Sequence, residues 1–75
     1  MYTDALIKAI EIVGTQSELA RRCGIKQQNV YNWLHRNKRV SVQHVLKVEA
    51  ATNGLVTRHE LRPDIYPNET VPNAL

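Results

Sequence analysis

The sequence contains no phenylalanine, one tryptophan, one cysteine and three tyrosines. A deep, aromatic-walled pocket is hard to build from that inventory, and a small recognition module is not. With only Cys23 available, an intramolecular disulfide is excluded, and the composition fits a reducing compartment. No apolar run is long enough to cross a bilayer. The opening MYTDALIKAIEIVG has no basic leader, and Asp4, Lys8 and Glu11 interrupt its apolar residues. It is therefore not expected to act as a signal peptide, and a cytoplasmic protein is expected. Asn68-Glu69-Thr70 has the form of a glycosylation sequon, and with no secretion signal expected it is read as a chance match.

Catalytic and metal-binding patterns are missing too. There is no glycine-rich phosphate loop, no nucleophile paired with a base and no carboxylate pair. His35, His44 and His59 have no metal-ligand spacing, and one cysteine cannot build a zinc finger. An enzyme is not expected, nor a metal, a cofactor or a small-molecule ligand.

The most informative absence is of one charge sign. Between Glu18 and Glu49 there is no acidic residue, while Arg21, Arg22, Lys26, Arg36, Lys38, Arg39 and Lys47 fall inside that stretch. The whole chain carries a formal net charge of +3 and a sequence pI near 9.4. A single-sign field over so much chain attracts polyanions.

What is present is helical. The 75 residues are enough for one domain with a small core. Leu6, Ala9, Ile10 and Val13 fall on one face of a first helix at 4–13, which Gly14 ends. Thr15-Gln16-Ser17-Glu18 reads as a capping box opening a second helix. Leu19, Ala20 and Cys23 face inward there, and Gly24 stops it. A third helix at 27–36 buries Val30, Trp33 and Leu34 and leaves Gln28, Asn29, Tyr31, Asn32, His35 and Arg36 outside. After the polar link at 37–39, Ser41 is expected to cap a fourth helix at 42–52, with Val42, Val45, Leu46 and Ala50 inward. Glu49 falls within that stripe and needs a partner, Arg58 or Arg62. Thr57-Arg58-His59-Glu60 reads as a second capping box, with Val56 and Leu61 as a hydrophobic staple. The short fifth helix ends at Arg62, before Pro63. The stretch from Asp64, with Pro67 and Pro72, is expected to be extended or disordered. The domain is placed at 1–66 and the tail at 67–75.

Two short helices flanking Gly24 make a helix-turn-helix. Ala20 lets them approach, glycine permits the bend, and Ile25, Val30 and Trp33 lock the second helix at a steep angle. Its start is left projecting toward a major groove.

The stretch from Gln16 to His35 resembles the helix-turn-helix of phage Cro and repressor proteins, through Leu19, Ala20, Gly24, Ile25, Val30 and Trp33. The run HVLKVEAATNGLVTRHELRPDIYP resembles the YdaS-like branch of that family, found in prophages and among antitoxins. The pair Leu55-Val56 departs from it by lengthening the link before the last helix. The resemblance implies an all-α, compact five-helix domain with a lambda-repressor-like DNA-binding fold. It also implies a repressor that excludes RNA polymerase from a promoter.

On this reading Gln28 is the leading base reader, because its amide can pair with adenine N6 and N7 together. Asn32, one turn on, is the next. Gln27 is placed to read a base or touch phosphate, Tyr31 to press on a thymine methyl or bond phosphate, and Lys26 to reach guanine. Gln16 and Ser17, at a helix N-terminus, are expected to hold phosphate. Arg22, Arg36, Lys38 and Arg39 are expected to do the same along the margins, and Arg21 or Arg22 to pair with Glu18. The expected partner is a palindromic double-stranded DNA operator bound by a weak homodimer, paired through the tail (Ile65, Tyr66, Val71) or the region between the third and fourth helices. An antitoxin-type protein that binds DNA and a toxin is the alternative.

Overall fold

The computed structural model describes residues 2–67. Among these residues all regular structure is helical: α1 (Tyr2–Val13), α2 (Gln16–Cys23), α3 (Gln27–His35), a 3₁₀ turn (Val42–His44) running into α4 (Val45–Ala51), and α5 (Arg58–Leu61).

Local sequence explains most of these boundaries. Gly14, at φ +115°, turns the chain out of α1, and Thr15 caps α2 by accepting the Glu18 N–H at 3.0 Å. Only this half of the expected box forms, because the Glu18 carboxylate turns to Arg21 and Arg22. At Thr57 the box is complete: its hydroxyl takes the Glu60 N–H, and the Glu60 carboxylate takes the Thr57 N–H. The staple residues beside it, Val56 and Leu61, are fully buried. The lengthened link is absorbed by turning Leu55 out to solvent, 62% exposed, while Val56 goes in.

Leu6, Ala9, Leu19, Ala20, Cys23, Val30, Trp33, Val45, Val48, Val56 and Leu61 meet in one core. Without phenylalanine, Trp33 is its one large ring. It stands against the His44 imidazole with centroids 5.6 Å apart.

The fourth helix differs from expectation. Ser41 does not cap it; its hydroxyl pairs with His44 Nδ1 at 2.8 Å, and the first turn is 3₁₀. Val42, Leu46 and Ala50 point outward. Val45 is buried as expected, and Val48 and Thr52 are buried with it. Both sets have helical spacing, since 42/46/50 repeats by four and 45/48/52 by three and four. The tighter 3₁₀ turn and a bond that only Thr52 can make select the second. Its hydroxyl donates to the Glu49 carbonyl at 3.0 Å and accepts the Val56 N–H at 3.1 Å. Glu49 sits at the edge of this inward face, paired with Arg58 at 3.0 Å.

The chain after α5 is also more ordered than expected. Ile65 and Tyr66 both donate their N–H to the Arg62 carbonyl, at 3.0 and 2.8 Å. Tyr66 packs against the core, its carbonyl accepts from His59 Nδ1 at 2.9 Å, and the Arg58 guanidinium lies 5.7 Å from its ring centroid. The organiser is Arg62, which is buried. It donates to the Val40 carbonyl at 2.8 Å and forks onto both Asp64 oxygens at 3.0 and 2.8 Å. That fork holds the Asp64 carboxyl down at about 2. Residues 68–75, with the rest of the expected tail, Val71 among it, lie outside the described residues.

Candidate nucleic-acid interface

The bend between α2 and α3 is a Schellman turn. Gly24, at φ +71°, donates its N–H to the Arg21 carbonyl at 3.1 Å, and Ile25 donates to the Ala20 carbonyl at 3.0 Å. Ile25 then packs on the core. Three residues, 24–26, separate the end of α2 from the start of α3 at Gln27. Its N-cap residue, Lys26, is exposed and makes no side-chain cap hydrogen bond.

A side-chain bond joins the starts of the two helices. Ser17 Oγ donates to Gln27 Oε1 at 2.7 Å, placing an expected phosphate contact beside an expected base contact. Gln16 is half-buried next to Ser17 at the N-terminus of α2.

Along α3, Gln28 donates from Nε2 to Asn32 Oδ1 at 3.1 Å. This leaves the Gln28 carbonyl oxygen and the Asn32 amino group directed away from their shared bond. Tyr31, also exposed, stands against the His35 ring with centroids 4.4 Å apart. Residues 28, 31, 32 and 35 follow i, i+3, i+4, i+7 and make one stripe, opposite buried Val30 and Trp33. His35 is the member that the sequence reading left without a role. Its spacing of seven from Gln28 is the signal that could have found it.

The expected phosphate contacts are not all together. Arg36, Lys38 and Arg39 are exposed in the link after α3, with Lys38 at φ +62°. Arg22 is held elsewhere. Its Nε donates to Glu18 at 2.8 Å, and its Nη1 donates to the Ala51 carbonyl at 3.1 Å, tying α2 to the end of α4. With Arg21, Lys47 and Ala50 it lines a shallow depression of about 580 Å³ between those helices. Glu18, gripped first by Arg21 and then by Arg22, is held down at about 2, so its charge persists well into acidic pH, where it still offsets one of the two cations.

Among the described residues no group of three or more His, Cys, Asp or Glu could hold a metal ion, and no helix is long and apolar enough to cross a membrane. Cys23 is buried in the core, with its thiol pushed up by that burial.

Three likenesses agree with this geometry. The family model described as "Bacterial toxin YdaS" matches residues 6–70. The "Putative transcriptional regulator YdaS" of Escherichia coli (strain K12) is 36% identical over 58 residues, 77% of this chain. The match spans 59% of that protein's length. A solved structure, that of the Cro protein from "putative prophage element Xfaso 1" in Xylella fastidiosa strain Ann-1, is 38% identical with a TM-score of 0.79. The likeness covers 85% of this chain and 97% of that one. With its helix pair bent at Gly24 inside a Cro-like all-helical fold, the chain belongs to the YdaS family.

Proposed function

We propose that this chain is a sequence-specific repressor of the phage Cro type, reading double-stranded DNA by laying α3 in the major groove. The observation that carries this is the Gln28–Asn32 amide pair on the outward stripe of α3. A hydrogen-bonded amide pair is already oriented and presents an acceptor and donors to base edges. Carboxamides in that posture discriminate adenine from the other bases.

Lys26, Gln27 and Tyr31 complete the reading surface, and Gln16, Ser17, Arg36, Lys38 and Arg39 hold the flanking phosphates. Arg22 joins them only by releasing the Ala51 carbonyl. Neutralising about six phosphates gives a slope near −5 for log K against log salt concentration. One short helix touches too few base pairs for high specificity, so two copies bind a palindrome with half-sites about 34 Å apart. Repression follows by occupying a promoter in place of RNA polymerase. The protein acts in the cytoplasm of a bacterial host, without cofactor or catalytic step.

Selection of bound duplexes from a random pool tests the reading. A palindromic sequence should be enriched, and Gln28→Ala should relax the preference at one position of each half-site. Failure to enrich any sequence rejects the repressor. Sedimentation of the complex on the enriched site tests the dimer, which a single bound copy would refute.

The family's description as a toxin supports a second reading, in which the chain works in a toxin–antitoxin arrangement and binds a protein partner as well as DNA. A partner gene immediately adjacent would favour it. So would growth arrest on expression that survives Gln28→Ala, because DNA reading would then not be the cause.

A further inference from the structure

Histidine 35 has no role in the reading set out above, yet it occupies the last position of α3 on the stripe of Gln28, Tyr31 and Asn32. We infer that His35 is a DNA phosphate contact, oriented by its ring pairing with Tyr31, and that it makes duplex binding dependent on pH near neutrality. The inference rests on the DNA-binding reading and adds a residue and a linked proton to it.

Two structural relationships point to phosphate rather than a base. In a helix-turn-helix the first turns of the second helix reach base edges, and the later part of the helix rises toward the sugar-phosphate chain. Seven residues separate His35 from Gln28, so it lies about 10 Å further along the axis. It is also continuous with exposed Arg36, Lys38 and Arg39, a margin suited to a strand of phosphates. The Tyr31 ring, 4.4 Å away between centroids, limits how the imidazole turns and so lowers the ordering cost of a contact.

The proton enters because histidine is the side chain whose charge ordinarily changes between about pH 5 and 8. As imidazolium it donates from both nitrogens and carries a charge; as imidazole it is a single neutral donor. The groups near it in the chain are Tyr31, Arg36, Lys38 and Arg39, with no carboxylate between Glu18 and Glu49. Of the elements packed on α3, α2 brings Glu18, Arg21 and Arg22, with both arginines bonded to the Glu18 carboxylate. From α1 come Asp4, Lys8 and Glu11, with Lys8 turned toward Glu60 at 4.0 Å. His44 faces Trp33 on the core side of the helix. Nothing in the adjoining chain supplies the negative charge that a bound phosphate would, so the added proton acts on the complex. The sign follows: a charged imidazole binds phosphate more tightly than a neutral one, so binding is tighter at acidic pH and weaker at alkaline pH.

The test measures affinity of the full chain for two duplexes of equal length, the one enriched from the random pool and one of scrambled sequence. Phosphate is common to both, so both should bind about three- to tenfold more tightly near pH 5.5 than near pH 8. His35→Gln should remove most of that dependence on both duplexes, and lower the salt slope measured near pH 5.5 by about one for each bound copy. It should leave the enriched sequence unchanged. Thermal melts of both proteins at each pH keep folding effects apart from binding. Equal pH dependence in wild type and His35→Gln would overturn the inference while leaving the repressor reading intact. So would an altered sequence preference in His35→Gln, which would make it a base contact. Loss of all duplex binding in the wild type would sink both.

Discussion

Gln28 Nε2 and Asn32 Oδ1 lie 3.1 Å apart, so the two foremost candidates for base reading are one hydrogen-bonded unit across a turn of α3. Each holds the other's rotamer, and removing either leaves the survivor to find its own. Gln28→Ala and Asn32→Ala should each cost about 1–3 kcal/mol in binding to the enriched duplex. The double variant should cost less than the sum of the two. Titrations of the four proteins on one duplex give the coupling, and strict additivity would mean that the pair does not act as a unit.

Gly24 adopts φ +71°, and a Cβ placed there meets nothing within 4 Å. The cost of Gly24→Ala is then backbone strain alone, about 1–2 kcal/mol. Gly24→Asn should cost less, because asparagine tolerates the left-handed region better. Urea unfolding of the two variants checks the order. A loss well above this range would show that the turn needs glycine for space.

Val48 is fully buried and Leu46 is 47% exposed, two residues apart on α4. Val48→Ala should destabilise the fold by about 2 kcal/mol, and Leu46→Gln by less than about 0.5 kcal/mol. Thermal denaturation of both variants reads out which face of α4 is the inner one, and equal losses would contradict the packing described.

Asp64 and Glu18 are both held at about 2 by arginine partners, Arg62 for the first and Arg21 then Arg22 for the second. Each carboxylate has a folded-state value below its unfolded one. The stability they contribute is therefore complete above about pH 4.5 and is lost as pH falls toward about 2. Asp64→Asn should be less stable than wild type at neutral pH, and the two melting curves should converge near about pH 2. A constant difference across that window would exclude the carboxylate charge as the cause.

Arg62 Nη1 is the donor to the Val40 carbonyl, both residues being buried. Arg62→Ala leaves that carbonyl unsatisfied and frees Asp64, for a loss of about 2–4 kcal/mol. Amide exchange should quicken in the 37–40 link as well as after α5. Acceleration confined to the C-terminal turn would show that Arg62 does not bridge the two.

Much of the architecture is legible in the linear order of residues, because its causes are local. Thr15 and Thr57 start helices by bonding amides three residues on, and Gly14 and Gly24 end them by taking conformations that other residues resist. The core stripe of α3, Val30 and Trp33, follows from spacing alone, and the outward stripe of Gln28, Tyr31 and Asn32 follows from it by exclusion. Those residues are what any reading of this chain as a DNA-binding helix-turn-helix must use. What spacing could not decide was settled by contacts between distant residues. On α4 Val45 was legible as an inward residue, but Val42, Leu46 and Ala50 compete with Val48 and Thr52 for the rest of that face, and the 3₁₀ turn together with the Thr52 bonds to Glu49 and Val56 goes with the second set. Arg22 was drawn to the Ala51 carbonyl, 29 positions away, and Arg62 to the Val40 carbonyl, 22 away. A long cationic side chain has many rotamers of similar energy, so its partner depends on which acceptor the fold brings within reach, and that is a property of the assembled chain.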